Sequence, residues 1–132
     1  MEILSLSIDK KTLEKLNQTQ SLLGFKSRSK LLRTAIMSVM DEYKELNTAS
    51  GNIECIFVVT YLEKERNHSL DIIHKFQKVI KTEIHHHSYE MGVEIIIINS
   101  EAKQAKEMFS TLKKSKCIYS VKYSILGKNS KK

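Results

Sequence analysis

The chain has 132 residues, of which 41% are hydrophobic and 28% charged. That balance excludes a chain disordered by composition, and the absence of proline excludes proline-rich linkers and collagen-like repeats. Lys and Arg outnumber Asp and Glu by 22 to 15, and the net charge of +7 favours a polyanionic partner, nucleic acid before a membrane surface.

Two cysteines, Cys55 and Cys117, are too few for a disulfide scaffold and suit a reducing compartment. The opening Met-Glu-Ile-Leu-Ser-Leu-Ser-Ile-Asp lacks a basic signal region. The isoleucine run Ile95–Ile98 is far too short for a membrane span. A cytoplasmic protein with no membrane partner is expected, associated with the nucleoid when bound to DNA.

Residues 1–46 read strand, helix, helix. In the first stretch Leu4, Leu6 and Ile8 point one way, and Ile3, Ser5 and Ser7 the other. Asp9 is placed to cap a helix carrying Leu13, Leu16, Leu22 and Leu23, and Gly24 to end it in a left-handed turn. A second helix carries Leu32, Ala35, Ile36, Val39, Met40 and Tyr43 on one stripe. So few residues cannot bury a core alone, and a single strand has no pairing partner. A homodimer that pairs the two strands solves both problems.

The polar stretch 47–52 is expected to be a linker. Residues 53–126 then read β-α-β-β-α-β, an order that fits a ferredoxin-like unit. The elements are a strand Ile53–Tyr61, a helix from about Asn67 to Lys81, strands Ile84–Glu90 and Val93–Asn99 joined through Met91-Gly92, a helix capped by Ser100, and a strand Cys117–Leu126. Residues 127–132 are expected to be a basic tail. The fold class is α+β: a dimeric βαα domain followed by a βαββαβ domain.

The strand, the capped helix and Gly24-Phe25-Lys26-Ser27-Arg28-Ser29-Lys30-Leu31-Leu32-Arg33 resemble a ribbon-helix-helix DNA-binding domain. In that family two strands form a ribbon that enters the major groove. The resemblance implies that Ile3, Ser5 and Ser7 face base edges. Serine hydroxyls both donate and accept, so they meet several bases. Ser27, Arg28 and Ser29 open a helix whose N–H groups suit a phosphate, and Lys10, Lys11, Lys30 and Arg33 add charge.

All five histidines lie between His68 and His87. His85 and His87, two apart on a strand, project from one face, and His86 from the other. With His74 eleven residues before His85, the whole chain resembles the nickel-responsive regulator family, in which a ribbon-helix-helix domain is fused to a ferredoxin-like, ACT-like sensing domain. The resemblance implies a metal held between subunits of a homotetramer by His74, His85 and His87, and a double-stranded DNA operator as partner. It also implies that Lys64 and Arg66, after Tyr61, touch DNA phosphates. His68 and His86 are read as structural.

Three positions depart from the family. Its cysteine ligand, six residues after the second strand histidine, is Val93 here. Its acidic pair, which holds a cation between the domains, is Lys30 and Thr34. A site without the thiolate accepts zinc, cobalt or copper as readily as nickel. No paired carboxylates, phosphate loop or serine nucleophile motif suggests an enzyme. The alternatives are a ribbon-helix-helix repressor whose second domain is metal-independent or senses a small molecule, and an antitoxin-like interaction protein.

Overall fold

A computed structural model describes residues 1–129. The chain divides into two compact units, Met1–Tyr43 and Lys44–Lys132.

In the first unit, α1 spans Lys10–Leu23 and α2 begins at Arg28. Asp9 caps α1 by accepting the Thr12 N–H at 2.6 Å. Gly24 ends it at φ 75°, a left-handed conformation that costs glycine nothing. Ser27 accepts the Lys30 N–H at 3.1 Å and so caps α2. The expected strand Ile3–Ile8 carries no strand hydrogen bonds in the single chain. An isolated strand has no partner for its backbone groups, so pairing needs a second segment.

Of the expected linker 47–52, Asn47 and Thr48 are helical and Asn52 is paired in a strand, which leaves Ala49, Ser50 and Gly51 as the connection. α2 runs on to Thr48, and β1 (Asn52–Leu62) starts four residues later. The last turn of α2 belongs to the second unit: Leu46 is buried, and its N–H donates to the Tyr123 hydroxyl at 3.2 Å. That anchorage holds the helix past the polar residues expected to end it.

The second unit is a four-stranded antiparallel sheet in the order β2-β3-β1-β4, with the connectivity β-α-β-β-α-β. Its other elements are α3 (Arg66–Ile73), β2 (Ile80–Ser88), β3 (Met91–Glu101), α4 (Ala102–Lys114) and β4 (Ser120–Asn129). One sheet face, with Cys55, Phe57, Val59, Ile96, Ile98 and Val121, forms the core with Ile73, Ala105, Met108 and Leu112 of the helices. The other face carries half-buried Ile56, Val58, Ile95 and Ile97.

Several expected boundaries move. The helix expected to reach Lys81 ends at Ile73, and a 3-10 stretch His74–Val79, kinked at Phe76, leads into β2. The pairing of Ile80 with Ile98 draws the chain into the sheet, and β-branched Ile80 and Thr82 suit a strand better than a helix. The hairpin turn is Tyr89-Glu90, while Met91 and Gly92 are paired residues of β3. Glu101, not Ser100, caps α4, through a capping box with Gln104. Cys117 lies in the turn before β4, not in a strand. Gly127, Lys128 and Asn129 continue β4 instead of opening a tail, and the rest of that expected tail lies outside the described residues. Among the described residues no helix is long and apolar enough to cross a membrane.

Candidate metal centre

Cross-strand register sets the face on which each side chain stands, because directly paired residues point the same way. His85 pairs with Glu94, His87 with Gly92, and Gly92 in turn with Tyr61. These residues share the core face. His86 pairs with Val93 on the opposite face. The position expected to carry the family's cysteine therefore points away from His85 and His87.

Glu94 occupies the place Val93 does not. It is 1% exposed, a carboxylate inside a run of isoleucines. Buried carboxylates require partners. Its Oε1 accepts the Tyr61 hydroxyl at 2.8 Å and lies 2.5 Å from His85 Nδ1. The Tyr61 hydroxyl is also 3.3 Å from His85 Nδ1. Burial raises the Tyr61 pKa well above the usual tyrosine range, with Glu94 adding to the shift, so this hydroxyl stays a donor.

Each of the other expected ligands also meets a glutamate. His74 Nε2 lies 3.0 Å from Glu83 Oε1. His87 Nδ1 lies 3.0 Å from Glu63 Oε2. That approach is off the ring's N–H axis, and Glu63 Oε2 is buried without an aligned donor. Burial raises the Glu83 pKa, and a hydrogen bond with Glu94 raises it further, while His74 opposes both. Two carboxyl groups in contact each disfavour the other's ionised form.

His85 and His87 thus share a strand face, whereas His74 contacts Glu83 and opens the 3-10 helix that continues α3. Among the described residues no three His, Cys, Asp or Glu side chains converge as the ligands of one metal ion would. Cys55 is fully buried in β1, and burial pushes its thiol up to about 11. Cys117 packs its sulfur 3.0 Å from Ser115 Oγ. A thiolate-bound nickel centre does not fit these residues. Imidazole nitrogens with nearby carboxylates fit a divalent cation of borderline hardness, and zinc, cobalt and nickel all qualify.

Of the residues expected at DNA, Ile3, Ser5, Ser7, Lys10, Lys11, Ser27, Arg28, Ser29, Lys30 and Arg33 are all exposed in the first unit. Arg28 Nε donates to Asn17 Oδ1 at 3.1 Å. In the second unit Lys64 and Arg66 are exposed, and Arg66 lies 3.7 Å from Glu63.

The histidine spacing by itself does not single out Glu63, Glu83 or Glu94. The signal was present in the pattern Gly92, Glu94, Ile96, Ile98: a single acid on the core-facing alternation of a strand.

Curated archaeal proteins share this sequence over most of their length. A protein of Methanocella arvoryzae named "Putative nickel-responsive regulator" is 28% identical over 110 residues, covering 80% of this chain and 79% of that protein. One of the same name from Methanocaldococcus jannaschii is 24% identical and covers 96% of this chain and 92% of its own length. This chain is similar to the proteins named nickel-responsive regulators. No protein-family model matches it. An uncharacterized protein from Thermotoga maritima superposes with a TM-score of 0.54 at 12% identity, over 58% of this chain and all of its own. That likeness is one of fold.

Proposed function

We propose that this chain is a metal-responsive, sequence-specific DNA-binding transcription regulator of the nickel-regulator type. The observation that carries the reading is the strand pair His85 and His87 on one face, with a buried carboxylate against His85. Imidazoles two apart on a strand are preset to bind one ion. His74, from a partner chain, completes the site as the family resemblance implies. Nickel, zinc or cobalt is the ligand class.

The first unit supports the DNA half of the reading. No residue of α1 is buried, and Leu4, Leu6, Leu22, Ile36, Val39 and Met40 are more than half exposed. Exposed apolar stripes on two helices and an unpaired alternating segment match a βαα unit that folds as a homodimer. Pairing Ile3–Ile8 with its copy buries Leu4, Leu6 and Ile8 and turns Ile3, Ser5 and Ser7 outward, toward a major groove. Ser27, Arg28, Ser29, Lys30, Arg33, Lys10 and Lys11 then contact phosphates, as do Lys64 and Arg66. The apolar outer face of the sheet supports further assembly, to a homotetramer.

The test is selection from a random duplex pool by chelator-stripped protein, with and without nickel or zinc. Metal-dependent enrichment of a two-half-site sequence supports the proposal. Enrichment that ignores metal favours the second reading, a metal-independent ribbon-helix-helix repressor, for which Val93 in place of the family's cysteine speaks. No enrichment under either condition overturns DNA recognition.

A further inference from the structure

A carboxylate stands beside the same ring nitrogen of His85 and of His87, but only at His85 does it form an aligned hydrogen bond. Glu94 Oε1 stands 2.5 Å from Nδ1 of His85, and Glu63 Oε2 stands 3.0 Å from Nδ1 of His87. A neutral imidazole carries one proton, and a carboxylate at one nitrogen draws it there. The other nitrogen, Nε2, then keeps its lone pair for a metal. His74 is engaged the opposite way, with Nε2 against Glu83.

Glu94 is built to do this. It is almost wholly buried, its strand pairs it with His85, and the Tyr61 hydroxyl holds the same oxygen from the adjacent strand. Gly92 leaves the space that lets Tyr61 pass: a Cβ there would lie 2.4 Å from the Tyr61 ring. Glu63 sits on the 3-10 turn after β1, also against Gly92.

We infer that Glu94, steadied by Tyr61, is a positioning residue that fixes the His85 tautomer with its proton on Nδ1 and Nε2 as the metal-binding nitrogen. This rests on the metal-binding reading above. It makes this carboxylate an outer shell and leaves the ion to imidazoles and to groups from a partner chain. Partners of this kind raise ligand basicity and orient the ring, and their loss commonly weakens metal binding 10–100-fold.

Two measurements on the full chain test it. Long-range 1H–15N spectra of the stripped protein report the histidine tautomers without any substitution. The expected result is His85 with its proton on Nδ1. A proton on Nε2 overturns the inference. Zinc titrations then compare wild type with Glu94→Gln, Glu63→Gln and the exposed control Glu54→Gln. The expected result is roughly 10–100-fold weaker binding for Glu94→Gln, with Glu63→Gln, whose carboxylate makes no aligned bond to His87, and the control both close to wild type. Should Glu94→Gln not fold, Tyr61→Phe replaces it, with a loss in the same direction. Wild-type binding with undiminished affinity in Glu94→Gln, or in Tyr61→Phe where it replaces that variant, overturns the inference and leaves the metal-binding reading intact. Absence of zinc and nickel binding by wild type overturns both.

Discussion

Gly92 lies against the ring of Tyr61, two directly paired residues of neighbouring strands, so closely that a methyl group at position 92 would come within 2.4 Å of Cε1 and 2.6 Å of Cζ. Tyr61 is fully buried and has no room to step aside. Gly92→Ala is therefore expected to destabilise the fold by about 1–3 kcal/mol, the usual cost of overpacking. It also displaces the hydroxyl that holds Glu94. Urea unfolding measures the first effect, and zinc affinity, expected to fall, the second. A stable variant with unchanged affinity would contradict this packing.

Cys55 supplies a pH prediction. Its thiol is pushed up to about 11, first by burial. The folded pKa lies above the ordinary value of 9.0, so the folded state holds this proton more tightly. The contribution is present in full below pH 9 and is lost as pH rises toward 11. Unfolding midpoints should fall across that window in wild type and less steeply in Cys55→Ala. The same burial protects the thiol from alkylation in the native state, so iodoacetamide should label Cys117 first.

The homodimer proposed for the first unit makes its stability depend on concentration. With Leu4 and Leu6 exposed in the single chain, thermal unfolding should shift upward as protein concentration rises. Leu6→Asp should abolish this shift and DNA binding together, while the second unit keeps its circular-dichroism signal. A melting temperature independent of concentration would argue for a monomer.

Binding to duplex DNA should weaken steeply with salt, because the contacts proposed for Lys10, Lys11, Arg28, Lys30 and Arg33 neutralise phosphates. Replacing Lys30 with Ala should flatten the slope of log K against log salt by about one. Replacing Ser5 should alter sequence preference instead. Anisotropy titrations at several salt concentrations separate the two effects.

Much of the fold was legible because local chemistry and tertiary context agree. Asp9 and Gly24 cap α1 as their residue types demand. The βαββαβ order follows from alternation in β1 and β3 and from the stripe of Ala105, Met108 and Leu112 in α4. The boundary at Ile73 was not legible, because Phe76, Gln77 and Ile80 continue a helical spacing while Ile80, Thr82 and Ile84 begin a strand spacing. Pairing with Ile98 decides between them, and no local pattern carries that information. The site was half legible. Histidine spacing marks His85 and His87, but the one-residue difference between Val93 and Glu94 depends on a two-residue hairpin at Tyr89-Glu90. Moving that turn by one residue exchanges the two faces.

The central claim is that His85 belongs to a metal site. Calorimetric titration of the chelator-stripped full chain with nickel and with zinc, set beside His85→Ala, tests it most directly. Tight binding near one ion per chain, abolished by the substitution, is the expected result. Equal binding by the two proteins, or none by either, would contradict it.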